Sequence, residues 1–443
     1  MTNSHLIIPH PAKALILAVE DQGRMELPAV EVSGWIAQAV GEINAYVGRT
    51  FGLQVTVLRH LHEAEFHVVL LEVHCGVDWL QGRGCWKTWE SVARASGQAG
   101  LGGVLQGYFG SGTTPSGPIP WERAGWFGEA CEWVGEILAA IGRRQTGPIE
   151  QRKAAWGWSS ILRVPTSQGS LYFKAEYSAP PSEGAVIELL ARRFPQQVPR
   201  LLACDRRRGW ILMEDFGGVL LPDSIPERFS EAVRCSAAMQ LQSASALAAW
   251  KNLGTAAVDV ALLHRHSRVL ARHAGAGGLY GASDLARFTK IVEQALAVVG
   301  AAVVPLSVVN QDFRPNNVAV GPSGELVFFD WGNVVIAHPF FSFSMFLRYC
   351  RHFSRQSRGA LMEDYLRIWL CHGELEELKK ELRAVAILEP IFVSLWEYRE
   401  LERGDVQTPW GAHLAQGILS RRGGQDSDPI AQVLQADLGQ RAV

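Results

Sequence analysis

The chain has no large excess of charge of either sign: 42 Lys and Arg residues face 44 Asp and Glu, a formal net charge of -2. A protein that coats a nucleic-acid backbone needs a basic face, so no nucleic-acid partner is expected. No stretch offers about 18 uncharged apolar residues in succession. The opening MTNSHLIIPHPAK carries no basic patch followed by a long apolar run. Neither a membrane span nor a secretory leader is expected, and the expected location is the cytoplasm. The seven cysteines, Cys75, Cys85, Cys131, Cys204, Cys235, Cys350 and Cys371, are odd in number and never spaced as CxxC. That argues against a disulfide framework and a zinc site, and leaves buried, reduced thiols as the expectation. The first hundred residues lack a Gly-rich phosphate loop and a nucleophile elbow, so no chemistry is expected there.

What is present is a globular composition, 48% apolar and 19% charged over 443 residues, enough for two or three domains. A helical pattern near Val32 to Tyr46 precedes two strand-like runs, Leu53 to Leu61 and Phe66 to His74. These predict a small α+β domain over residues 1–118, of unassigned role. GSGTTPSGPIP, at 110–120, has a linker's composition. A connecting helix follows within 119–145, with Trp126, Ala130, Trp133 and Ile137 on one stripe. From Pro148 the pattern predicts a hairpin turning at Ser167 to Ser170 and ending in Lys174. A helix capped by Ser182 and two more strands, VPRLLACD and GWILMEDFGG, complete a small lobe over 146–218. Residues 219–443 read as helical, broken by short strands around VNQDFRPNNVAV and LVFFDWGN.

Those two stretches carry chemistry. Asp312 lies in a short polar loop where its carboxylate could orient a substrate hydroxyl and accept its proton. Asn317, five residues on, could turn an amide oxygen toward magnesium, and Asp330 ends an apolar strand as a hard oxygen ligand for the same ion. Lys174 would pair with the α and β phosphates of a nucleotide, held by Glu183 on the following helix. Asp312 and Asn317 taken alone also suit a tight turn. Glu188 is a rival partner for Lys174. His338 is expected to be a packed turn residue.

Lys174, Glu183, Asp312, Asn317 and Asp330, in this order, together with LMEDFGG, resemble the aminoglycoside phosphotransferase and choline kinase group of protein-kinase-like enzymes, from about Trp126 onward. The resemblance implies an α+β, two-lobed protein-kinase-like fold: a small β-rich N-lobe and a helical C-lobe, preceded here by the extra domain. It implies ATP and Mg2+ as cofactors, and γ-phosphate transfer to a hydroxyl of a small molecule such as an aminoglycoside or amino sugar. The adenine would meet the backbone of Glu214 and Phe216, with Met213 guarding the pocket behind. The phosphate-covering turn would fall on AAWGWSS, with Ser159 and Ser160 supplying hydroxyls because only one glycine is present.

Two positions depart from the group's pattern. Asn310 stands where a histidine is usual and Ser342 where an aspartate is usual, both expected to brace the catalytic loop. They motivate a rival expectation, a non-catalytic nucleotide-binding regulator acting through the N-terminal domain. In the C-terminal part, Glu389, Glu397 and Glu400 share a helical face that could receive a cationic acceptor, or could be a solvated face balanced by Arg399 and Arg403. Self-association through the N-terminal domain into a homodimer is a further expected arrangement.

Overall fold

The computed structural model describes residues 2–402 apart from 22, 33–35, 37, 64–65, 79, 81–83, 97–99, 110–118, 156–158, 177–180, 277–280 and 351–352. Most of the expected linker at 110–120 therefore lies outside the described residues. The chain divides into two compact units, one of Met1–Tyr177 with Leu202–Asp215, the other of Ser178–Leu201 with Phe216–Val443.

The first unit begins with strands β1 (Thr2–Ile7), β2 (Ile16–Asp21), β3 (Arg24–Glu26) and β4 (Ala29–Val32). Helix α1 (Val40–Phe51), strands β5 (Gln54–Glu63), β6 (Phe66–Cys75) and β7 (Cys85–Lys87), and helices α2 (Trp89–Ala95) and α3 (Leu101–Phe109) follow. A sheet of order β4-β1-β6-β5 forms the centre. Alternate residues feed two cores: Val57, Val69 and Leu71 pack with Val40, Ile43 and Val47 of α1. Leu58, Val68 and Leu70 pack with Val92, Leu101 and Leu105 of α2 and α3. The helix expected from Val32 starts later, because Val32 pairs with Thr2 as part of a strand. The apolar stripe Val40, Ile43, Val47 and Phe51 sets the helix instead.

The same unit continues through α4 (Trp126–Ala140), β8 (Glu150–Ala155), β9 (Ser159–Thr166), β10 (Gly169–Glu176), β11 (Leu201–Asp205) and β12 (Trp210–Glu214). These five strands form a sheet of order β11-β12-β10-β9-β8. The expected hairpin is β9-β10, and β10 runs two residues past Lys174. Helix α4 is no mere connector. Trp126 and Trp133 pack on Phe173 and Trp210 with ring centroids 5.4–6.2 Å apart, covering one face of the sheet.

Residues expected in separate domains thus share this unit, and the joints are specific. The carboxamide of buried Gln151 accepts from Val57 N at 2.7 Å and donates to Val57 O at 2.9 Å, as a paired strand residue would. Both β5 and β8 are edge strands, and each has a register irregularity beside this contact. Arg59 bonds Glu122 at 2.6 Å, and Glu72 accepts from Gly125 N at 2.6 Å, just before α4. His74 shares a 2.9 Å hydrogen bond with Thr56 and lies against Phe127.

The second unit holds α5 (Glu183–Ala191), β13 (Val219–Leu220), α6 (Glu227–Ala244), α7 (Leu247–Asn252), α8 (Val260–Ala276) and α9 (Ala282–Gly300). Strands β14 (Ser307–Asn310), β15 (Val318–Val320), β16 (Leu326–Phe328) and β17 (Val334–Ala337) come next, then α10 (Phe340–Tyr349), α11 (Arg355–Arg367) and α12 (Leu375–Glu402). Ser182 occupies the N-cap position of α5 without a side-chain cap bond. Helices bury β14 and β17, whose residues are all buried. No helix among the described residues is long and apolar enough to cross a membrane. All seven cysteines are free, but only Cys350 is buried, and Cys75 and Cys371 are exposed, which corrects the expectation of uniformly buried thiols. Being at a strand end and just past α11, those two positions escape packing.

Replacing Gln151 with Ala leaves two buried backbone groups of Val57 without their partner. The expected loss is about 2–6 kcal/mol of stability, read by denaturant unfolding, since each orphaned group costs about 1–3 kcal/mol. Burial holds His74 down to about 4 from 6.5. Between those values the unfolded chain binds more protons, so stability falls as pH falls through the window. Burial raises the carboxyls of Glu72 and Glu122, which act in the opposite sense. The melting temperature of the His74→Gln variant is expected to fall less than the wild type's between pH 7 and pH 5.

Candidate active site

The site of the second unit grows from one antiparallel pair. Asn310 ends β14 opposite Val334 of β17, and Gln311 N donates to Asn333 O at 2.7 Å. That pairing fixes two turns side by side: the polar loop from Gln311 to Asn317 and the turn from Phe329 to Asn333. Pro315 opens a single 3-10 turn, Pro315–Asn317, that folds Asn317 back under the loop.

Within the loop, Asn317 Nδ2 donates to both Asp312 O, at 2.8 Å, and Asp312 Oδ2, at 2.9 Å. Its own backbone carbonyl accepts from Phe329 N at 3.0 Å. Asn310 works in two directions, accepting from Asp312 N at 2.9 Å and donating to Asp330 O at 3.0 Å. Ser342 Oγ donates to Asn310 O at 3.1 Å. The two residues that depart from the group's pattern are therefore joined in one brace, and that brace touches both aspartates' backbones.

Asp330 has φ 63°, the one non-glycine residue with positive φ among those described. Aspartate tolerates the left-handed region better than a branched residue, and the surrounding bonds hold it there. On its N-terminal side Phe329 is tied to Asn317; on its C-terminal side Trp331 N donates to Glu183 Oε1 at 2.9 Å. Glu183 is 2% exposed at the start of α5. The structure thus gives this glutamate a tether to the Asp330 turn.

One neighbour was missed by sequence reasoning. Arg314 places a guanidinium nitrogen 2.9 Å from Asp312 Oδ2 and lies 6.0 Å from the Tyr349 ring. The signal was available as an arginine two residues past the aspartate in DFRPNN. His338 is buried as expected; its Nε2 lies 3.2 Å from Glu381, and burial lowers its pKa against the opposing effect of that carboxylate. Glu389 is buried and paired with Arg348. The side chains of Glu397 and Glu400 lie outside the described residues, as do Arg399 and Arg403.

The remaining predicted residues sit partly in the first unit. Lys174, 6% exposed, shares a cross-strand row with Ile161 and Ile211, on the sheet face opposite the one covered by α4. Ser159 falls on the same face as Lys174, but Ser160 is fully buried and its hydroxyl donates to Lys153 O at 3.4 Å. Residues 156–158 of the expected phosphate turn lie outside the described residues. Met213 and Glu214 end β12, where Glu214 pairs with Arg143 at 2.5 Å. In the second unit Phe216 stacks on Phe329 at 5.1 Å. Gly218, with φ 78°, has Val320 O where a Cβ would stand, at 1.9 Å, so this position requires glycine.

Residues 150–390, more than half of the chain, match the model of the phosphotransferase enzyme family. The chain belongs to that family. It is accordingly a small-molecule kinase with a protein-kinase-like α+β fold. A search among curated proteins finds no match. Similar solved structures include choline kinase LicA from Streptococcus pneumoniae, 12% identical, covering 71% of this chain and 100% of that one with a TM-score of 0.45. Macrolide 2'-phosphotransferase MphH from Brachybacterium faecium is 13% identical, with 66% and 99% covered and a TM-score of 0.46. A choline/ethanolamine kinase family protein from Mesorhizobium loti is 14% identical, with 69% and 99% covered and a TM-score of 0.43.

For a magnesium ion the donor set fits. Asn317 turns its amide nitrogen toward Asp312, so its oxygen is the atom left for a ligand role, and Asn310 takes the backbone carbonyl of Asp330 rather than its carboxylate. One amide oxygen and one carboxylate match an ion that keeps waters and shares phosphate oxygens. Because Asp330 is held at positive φ, Asp330→Gly is expected to be more stable than Asp330→Ala by about 1–2 kcal/mol, measured by thermal unfolding.

Proposed function

We propose that the chain moves the γ-phosphate of ATP to a hydroxyl of a polar small molecule, an aminoglycoside, an amino sugar or a related compound, in the cytoplasm. The observation that carries this reading is the hydrogen-bonded set Asp312, Asn317, Asn310 and Asp330, in which a carboxylate for the hydroxyl is joined to two oxygen donors for a cation. Family membership favours it over the non-catalytic nucleotide-binding regulator.

Asp312 orients the acceptor hydroxyl and takes its proton as the oxygen attacks. Asn317 and Arg314 grip the same carboxylate oxygen and so fix the plane of that carboxylate. Asn317 and Asp330 hold Mg2+, which when bound neutralises charge on the phosphates. Lys174 orients the phosphates, with Ser159 on its face of the sheet, and the backbone of Glu214 and Phe216 next to Met213 seats the base. Ser160, with its hydroxyl turned to Lys153 O, contributes through the strand rather than to a phosphate. Glu183 acts on the metal-binding turn through Trp331 N. Asn310 and Ser342 brace the loop without an ionisable group, leaving activity intact.

ADP release with Mg-ATP across a panel of aminoglycosides, amino sugars, amino alcohols and nucleosides tests this. One acceptor is expected to stimulate turnover, and Asp312→Ala to lower kcat by about 10²–10⁴-fold with little change in ATP affinity. ADP release indifferent to every acceptor and to Asp312→Ala would overturn the reading.

A further inference from the structure

The five-stranded sheet has one face covered by α4 and another that carries Lys174. Cross-strand partners share a face, so the register tells which other residues stand beside that lysine. Lys174 pairs with Ile161 of β9, and Ile161 pairs with Lys153 of β8. Lys153 therefore stands in the same row, two strands away, about 10 Å at the backbone.

That placement depends on an irregularity. Gln151 pairs with Leu162, and Lys153 pairs with Ile161, so Arg152 is an extra residue in β8. In a regular pairing without the bulge, Arg152 would face Ile161 and Lys153 would fall opposite Ser160, on the face covered by α4. A bulge of this kind re-aims a side chain, and such bulges gather beside active sites. It is anchored from outside the sheet, because Gln151 is clamped to both backbone groups of Val57 and Ala154 is sunk in the α1 core. Burial follows the same alternation: Ala154 is wholly inaccessible, whereas Lys153 is half-buried.

We infer that Lys153 is a second cation of the nucleotide site, turned by the bulge at Arg152 onto the face of Lys174 to bind the phosphates of the donor. This rests on the proposal that Lys174 meets those phosphates. Two ammonium groups on flexible four-carbon stems, one row and two strands apart, can converge on a single polyphosphate chain. The N-terminal domain then has a part in the reaction: through Gln151 it holds the strand that aims this lysine.

The test is calorimetric binding of ATP and of adenosine by the full-length protein, with Lys153→Met, Lys153→Arg and Lys174→Met beside the wild type and melting temperatures recorded for each. Lys153→Met is expected to weaken ATP about 10-fold and leave adenosine unchanged, and Lys153→Arg to restore most of the loss. ATP affinity within twofold of wild type in Lys153→Met, or equal losses for ATP and adenosine, would overturn the role of Lys153. If Lys174→Met also leaves ATP binding unchanged, the failure lies in the phosphate-facing assignment of the sheet; if Lys174→Met weakens ATP and Lys153→Met does not, it lies with Lys153 alone. Should Lys153→Met lose its melting transition, the Arg variant decides: ATP binding that tracks its charge carries the inference, and its loss refutes it.

Discussion

The carboxamide of Asn310 joins the parts on which the catalytic reading depends. Its oxygen takes the backbone N–H of Asp312 and its nitrogen gives to the backbone carbonyl of Asp330, so one short, neutral side chain sets the spacing of both aspartates. Everything around it serves that geometry. The β14-β17 pair delivers Asn310 on a buried strand end, Ser342 secures its carbonyl from α10, and Asn317 and Glu183 hold the residues that flank Asp330. The left-handed backbone at Asp330 is tolerable because these bonds over-determine it. An asparagine can bridge an N–H and a C=O at once, a pairing that does not depend on titration.

In the first unit a second carboxamide has a comparable place. Gln151 completes the hydrogen bonding of an edge strand of the N-terminal sheet from an edge strand of the five-stranded sheet. Edges are where a sheet has unpaired backbone, and a single side chain that satisfies both groups of Val57 joins the two sheets without merging them. The half-buried Arg59 paired with buried Glu122 and the Glu72 carboxylate at Gly125 add to the same joint.

The residues proposed to carry the chemistry stand out in sequence because phosphoryl transfer draws on few residue types at short spacing. Asp312 and Asn317 are five apart in one loop, and Asp330 closes an apolar run, so local sequence carries them together. The stripe of α4, the hairpin β9-β10 and the strands β5 and β6 were equally local. What could not be read was long-range. Nothing in the linker-like composition after residue 110 announces that Gln151 meets Val57, and periodicity placed the first helix too early because Val32 finds its partner in Thr2. Ser159 and Ser160 looked equivalent, yet strand alternation sends Ser160 to the face covered by α4.

Sequence by itself determined the reaction class, because residues 150–390 carry the pattern of the phosphotransferase enzyme family. Only the tertiary structure decided how Asn310 and Ser342 replace the usual brace, that Glu183 holds Trp331, and that a single extra residue in β8 changes the face of Lys153. The physical reason is the reach of each rule. Residue chemistry and short spacing act within a loop or a strand, whereas Ser342 reaches Asn310 from 32 positions away, Glu183 reaches Trp331 across 148, and the bulged strand β8 is clamped through Gln151 to Val57, 94 positions back.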